Sequence, residues 1–105
     1  MGKSGRAEAL ALLGIARRAG AVVKGTDATR RGLKGGDIRL VLVAEDGSEV
    51  QSRKVLPLAR GRGVPWAYLG NRVELGGAVG SGPLTVVGVT EPGFARALRE
   101  RLGRE

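Results

Sequence analysis

Apolar residues recur along this chain in two rhythms, stretches of helical period alternating with short, nearly unbroken runs. From Ser4 to Ala19, SGRAEALALLGIARRA, they fall at helical spacing. Leu12, Ile15, Ala16 and Ala19 form a stripe that Leu10 and Leu13 widen, which predicts an amphipathic helix. Ser4 is its expected cap, with Glu8 in the first turn, Arg17 and Arg18 in the last, and Gly20 just past the end. That charge order suits the helix dipole, so the two arginines have a purely structural explanation. Ala21 to Val23 reads as a short strand. Lys24 to Gly36, KGTDATRRGLKGG, then enters a second, basic helix through a glycine turn, with Thr26 as the expected cap.

The remaining elements follow the same alternation. Ile38 to Ala44, IRLVLVA, is a β-branched run of the kind buried on both faces of a sheet. Ser48 and Gln51 have the spacing of a capping box and open a third helix. Pro57 should kink it or force a fresh start at VLPLARGRG. Val64 to Leu69 is a shorter strand, its proline tolerable at the first positions or on an edge. Trp66 and Tyr68 share one side of that strand, with core packing as the default expectation. Asn71 and Glu74 repeat the box for a short helix ending near Gly80. After the Ser81-Gly82-Pro83 turn comes a buried-type strand, Leu84 to Val89. Thr90-Glu91-Pro92 then starts a last helix with Phe94, Ala95, Leu98 and Leu102 on its apolar stripe. Strands alternating with helices predict a single α/β domain over 1–105, a sandwich with helices on both faces of about four strands.

Composition narrows the chemistry. The chain has 105 residues, with no cysteine and no histidine. Thiol chemistry, a histidine base and the usual zinc constellations are therefore excluded, and neither a metal nor a cofactor is expected. No apolar run approaches the roughly 20 residues of a membrane span, and no signal-peptide core is visible. The net charge is +8, and its distribution is uneven. Residues 1–36 hold eight basic and two acidic side chains, whereas residues 37–80 and 81–105 are each only one positive charge from balance. Such asymmetry favours nucleic acid or another anionic surface as partner, although an arginine-rich proteome would produce a similar surplus.

Within the basic stretch, Lys34 follows Arg30 by four and Arg31 by three, on one flank of the second helix. Free amides at that helix start are suited to holding a phosphate. Glu45 and Asp46 follow a strand, where α/β proteins often place chemistry. Neighbouring residues point apart and no third catalytic partner presents itself, so loop solvation or helix entry is the expected role. The glycine pairs do not make a nucleotide site, because Gly61-Arg62-Gly63 lacks the strand-then-helix context. Three aromatics are too few for a surface that reads RNA mainly by stacking.

The order LLGIARRAGAVVKGTDATRRGLKGG, IRLVLVAED, VLPLARGRGVPW, NRVELGGAVG and VVGVTEPGFA resembles the kink-turn-binding ribosomal-protein superfamily. This is the L-seven-Ae/L-thirty-e-like group, with its bacterial YlxQ-type branch, and the resemblance runs from about Leu12 to Phe94. It implies a three-layer α/β/α sandwich around a small mixed sheet and a non-enzymatic, RNA-binding role. The family motif G-x-N-E-x-x-K is matched by Gly25, Thr26, Asp27, Ala28, Thr29, Arg30 and Arg31. By that resemblance Gly25 lets backbone approach the RNA, and Arg31 takes the place of a lysine that contacts phosphate or a guanine edge. Asp27 stands for Asn and Ala28 for Glu, so two reading groups are replaced. An ionised Asp only accepts, whereas an Asn amide also donates.

The resemblance places a second RNA contact in the loop Gly80-Ser81-Gly82-Pro83-Leu84, with Leu84 and Val79 as apolar candidates and Glu45 on the same rim. The implied interface is thus Lys24, Gly25, Thr26, Asp27, Ala28, Arg30, Arg31, Lys34, Glu45, Gly80, Ser81, Gly82 and Leu84. The expected protein is a cytoplasmic monomer that holds a structured, ribosomal RNA element and contacts ribosomal proteins. The alternative is a protein-interaction module on the same fold that has lost specific RNA binding.

Overall fold

The computed structural model describes residues 2–103, with side chains from residue 5 onward. Its elements are α1 (Gly2–Arg18), β1 (Val22–Lys24), α2 (Thr26–Gly35), β2 (Leu40–Val43), α3 (Glu49–Gly61), β3 (Trp66–Tyr68), α4 (Arg72–Ala78), β4 (Val86–Val89) and α5 (Pro92–Leu102). The four strands form one mixed sheet in the order β1-β4-β2-β3. β4 is antiparallel to both β1 and β2, and β3 is parallel to β2. β1, β2 and β3 therefore run the same way, and α2, α3 and α4, which follow them directly, all begin at one end of the sheet.

The strands sort their side chains by the two-residue period of the pleat. Leu40, Leu42, Ala44, Val87 and Val89 meet Ala9 and Leu13 of α1, Leu75 and Val79 in and beside α4, and Ala95 and Leu98 of α5. Val41, Val43 and Val86 face the other way, onto Leu33 of α2 and Val55 and Ala59 of α3. Two helical layers thus cover the central strands β2 and β4, which are buried throughout. Each such buried Leu or Val is worth roughly 1.5–3 kcal/mol relative to exposure, so both cores contribute substantially.

Some details depart from the sequence reading. α1 begins at Gly2, so Ser4 lies inside it and Glu8 lies past its first turn; the Ser4 side chain is outside those described. Its fully buried core contacts are Ala9, Leu13 and Ala16, with Leu10 and Leu12 half-buried against the same core, while Ile15 is 49% exposed and Ala19 faces solvent. The helix is packed closely between α4 and α5, and a Cβ on Gly14 would lie 3.2 Å from the Ala78 carbonyl oxygen. Such close packing centres the buried face on Leu13 and small alanines, keeps Leu10 and Leu12 at its margins and leaves Ile15 outside it.

Pro57 does not break α3, which is continuous across it. The proline faces solvent, where water can satisfy the carbonyl it leaves unbonded, and Val55 and Ala59 anchor the helix on either side. Trp66 packs against the second core, but Tyr68 is 53% exposed. Their rings meet edge to face at 5.1 Å, and the Tyr68 end of this edge strand opens onto a groove beside Leu56 and Pro57. The second capping box forms completely: Asn71 Oδ1 accepts from Glu74 N at 2.8 Å, and Glu74 Oε1 accepts from Asn71 N at 2.9 Å. Glu91 caps α5, its carboxylate accepting from Phe94 N at 2.8 Å.

Candidate functional site

The entry to α2 is built around Gly25, whose φ of 92° is unfavourable for any residue with a side chain. Its N–H donates to the Val86 carbonyl at 2.9 Å, which holds the turn against the start of β4. Its outward side is open, with no atom within 4 Å of where a Cβ would stand. An approaching ligand can therefore reach backbone at this point. Gly25 itself occupies the cap position and provides no side-chain cap, so the first amides of α2 face outward uncapped.

Thr26 is not the cap expected of it. It is the first helical residue, almost fully buried, and its hydroxyl donates to Gln51 Oε1 of α3. Ser48 accepts from Gln51 N at 3.3 Å, but the Gln51 side chain goes to Thr26 instead of returning to the cap. The box expected at α3 is thus half made. Its unused half joins α3 to α2 at their starts.

A groove of about 460 Å³ lies over this junction, lined by Lys24, Gly25, Thr26, Asp27, Ala28, Arg31, Gln51 and Lys54. Arg31 also lines a neighbouring hollow with Asp27, Arg30 and Lys34, and a further one with Arg39 on the opposite flank of α2. Among the described residues no side-chain ion pair or hydrogen bond engages Lys24, Arg30, Arg31, Lys34 or Lys54. Their charge is available to an outside anion. Asp27 is the one carboxylate among the groove residues.

The loop before β4 reaches the same end of the sheet, but in a different character. Ser81 N donates to the Gly76 carbonyl at 2.9 Å, and the Arg17 guanidinium lies against Gly80. Gly76 is required: a Cβ there would lie 2.8 Å from the Gly82 carbonyl carbon, with backbone and no flexible side chain in the way. Leu84 N donates to the Arg72 carbonyl at 3.1 Å, and the Leu84 side chain rests partly on the first core. Val79 is fully buried, so it cannot serve as an apolar contact at the surface. Gly80 and Gly82 are exposed and Ser81 is half-buried.

Glu45 is exposed, and its backbone N–H donates to the Gly70 carbonyl at 2.8 Å. Its side chain lines a groove of about 530 Å³ with Arg53, Arg60 and Tyr68, separate from the α2 groove. Asp46 has a helix-entry role, accepting from Arg72 N at 2.7 Å at the start of α4. Thr85 ties these segments together. Its carbonyl accepts from Ala44 N at 2.9 Å and its hydroxyl from Ser48 N at 3.1 Å.

Gln51, Lys54 and Arg72 are side chains at this end of the molecule that motif reading passed over. Val50 and Val73, 63% and 67% exposed, start α3 and α4 there as well. A signal for them was present: both capping boxes mark helices that begin where parallel strands end, and the crevice outside such strand ends is a common binding position. Nothing among the described residues groups carboxylates into a metal site. No described helix is long and apolar enough to cross a membrane.

The fold is thus an α/β/α sandwich whose α2 entry combines an exposed glycine turn, basic side chains unpaired among the described residues and a helix start without a side-chain cap. Residues 7–99 match the model of the ribosomal protein L7Ae/L30e/S12e/Gadd45 family, and the chain belongs to that family. It is 37% identical to the RNA-binding protein YlxQ of Bacillus subtilis over 83% of this chain and 87% of the relative. With the RNA-binding protein YlxQ of Enterococcus faecium it shares 31% identity over 95% and 96% of the two chains. Among solved structures, a Bacillus halodurans protein of unknown function superposes with a TM-score of 0.85 at 30% identity, covering 90% of this chain and 96% of the other. The chain thus falls with the YlxQ-type branch.

Proposed function

We propose that this protein is a non-enzymatic RNA-binding protein that holds a structured, kink-turn-like RNA element in the cytoplasm, in association with the ribosome and as a monomer. The observation that carries the reading is the α2 groove: open backbone at Gly25, with Lys24, Arg31 and Lys54 around it and no internal partner for their charges among the described residues. Backbone donors and cations in a concavity suit RNA phosphate and acceptor edges better than they suit a protein surface. YlxQ relatives carry the description RNA-binding, which supports the same reading. The 80–84 loop would provide the second contact through Leu84 and the exposed backbone of Gly80, Ser81 and Gly82.

The test is fluorescence anisotropy with a kink-turn RNA and a plain duplex of equal length over a salt series. The expected result is a linear fall of log affinity with log salt, by about 0.7–0.9 per phosphate contact, and a modest preference for the kink-turn. A protein that binds no RNA even at low salt would instead be an interaction module. Asp27 and Ala28 at the groove favour that second reading, because they place a repelling carboxylate and an apolar stub where RNA would lie.

A further inference from the structure

We propose that α3 provides the base-reading group that α2 lacks: Gln51, its amide oriented by the Thr26 hydroxyl, donates to the N7/O6 edge of a guanine in the bound RNA, and Lys54 takes the adjoining phosphate. This rests on the RNA-binding reading and names the residues that would give it base selectivity. Asp27 and Ala28 cannot donate from their side chains, so α2 offers the groove cations and backbone but no neutral amide donor. Gln51 lies on the facing wall of the same groove. The Thr26 hydroxyl donates to its Oε1, which takes up one of the two lone pairs there and turns Nε2 away from Thr26. Its Nε2 has no partner among the described residues, so the side chain offers two N–H donors to whatever enters.

The Nε2 group donates only, and so it selects acceptors. Guanine presents two, N7 and O6, on its major-groove edge, whereas adenine presents an acceptor beside an amino donor. Thr26 is almost fully buried, so its side of the contact is rigid. Lys54 follows Gln51 by three and lies on the same helical flank, exposed and lining the groove. It can therefore reach the phosphate next to a base held by Gln51. The net effect is a reading surface made by two helices that meet at their starts, with the reader moved from one to the other.

The experiment measures binding of the wild-type protein, Gln51→Ala, Thr26→Val, Thr26→Ser and Lys54→Ala to a kink-turn RNA and to the same RNA carrying 7-deazaguanine at each sheared-pair guanine in turn. Wild type should lose about fivefold to tenfold on one of these replacements, at the lower end of what a base-edge pair discriminates. Gln51→Ala should bind the natural RNA more weakly by a similar factor and be indifferent to the replacement. Thr26→Val should behave like a partial Gln51→Ala, while Thr26→Ser keeps the hydroxyl and the sensitivity. Lys54→Ala should keep the sensitivity and reduce the salt slope by about 0.7–0.9.

If Gln51→Ala stays as sensitive to 7-deazaguanine as wild type, Gln51 does not contact N7 and the proposal is overturned. A wild type that binds the kink-turn but ignores every replacement overturns it equally, while leaving the RNA-binding function in place. A wild type that binds neither RNA removes both. Circular dichroism melts of each variant separate these outcomes from unfolding.

Discussion

The two helical layers of this protein both carry arginines, and the cations gathered around the α2 groove differ from Arg6, which ties α1 to α4. In the layer of α1, α4 and α5, some charged groups find partners within the chain, while Arg18, Arg96 and Arg99 stay exposed on its surface. Arg6 pairs with Glu74, and Arg101 donates to the Ala97 carbonyl at 3.1 Å. In the layer of α2 and α3, Arg53 pairs with Glu49 at 2.9 Å, but Arg30, Arg31, Lys34 and Lys54 have no such partners among the described residues and surround grooves that open to solvent. A net charge of +8 does not locate a binding surface. A cation with an internal partner is bound up in the fold, whereas an unpaired one beside open backbone can complement an external anion.

The largest effect expected bears on whether the 80–84 loop belongs to the binding layer. Gly76→Ala would gain about 1 kcal/mol of helix propensity, but it pushes a methyl into the Gly82 backbone, and overpacking costs about 1–3 kcal/mol or more. Because backbone cannot rotate out of the way, the cost should prevail. A net loss of about 2 kcal/mol would lower Tm by roughly 10 °C in a domain of this size. RNA affinity measured well below that Tm should fall too, through displacement of Gly80 to Leu84. Unchanged affinity would remove the loop from the interface.

The next contrast sets one arginine of each layer against the other. Arg31→Ala should weaken RNA binding tenfold or more, as expected for charge-assisted hydrogen bonds of about 1.5–3 kcal/mol. Arg99→Ala, on the outer surface of α5, should change it less than about twofold. Equal losses at both sites would mean diffuse attraction and would dissolve the distinction between the layers.

A gain of function sharpens the comparison from the other side. Asp27→Asn with Ala28→Glu leaves net charge unchanged but restores donors and acceptors at the groove. The ratio of kink-turn to duplex affinity should rise by about tenfold, within the 1–3 kcal/mol of good base-edge pairs. No rise in a folded protein would leave reading to another surface.

The smallest effect concerns the Arg6–Glu74 pair, in the layer away from the α2 groove. The Glu74 carboxyl is held below the ordinary glutamate range, first by the backbone hydrogen bond from Asn71 and then by the Arg6 guanidinium. Its folded pKa is depressed, so the stabilisation is present above the unfolded value and is lost as pH falls through the folded one. Acid titration of Tm should show a slightly shallower decline for Glu74→Gln, which can still accept from Asn71 N. RNA affinity near neutral pH should not move.

Much of this architecture was legible because its causes are local. The runs IRLVLVA and LTVVGV announce buried strands, and N-x-x-E announces the start of α4, since period and cap depend on residues within a turn or two. Gly25 and the basic residues that follow it were legible for the same reason, as was Pro65, which stands just before the edge strand β3. Ile15 misled because helical spacing reports that a stripe exists, while its exact centre depends on which helices press against it.

What the sequence by itself determined is the kind and order of the elements, the family, and the basic character of the second helix, with Asp27 and Ala28 at its start. Only the tertiary structure decided that three helices start at one end of the sheet beside the entry to β4. Only it decided that Thr26 gives its hydroxyl to Gln51, 25 residues away, instead of capping its own helix. Side-chain hydrogen bonds of that kind are settled by competition between a local partner and a distant one. The distant partner prevails when packing has already brought it into place, and no local rule contains that information.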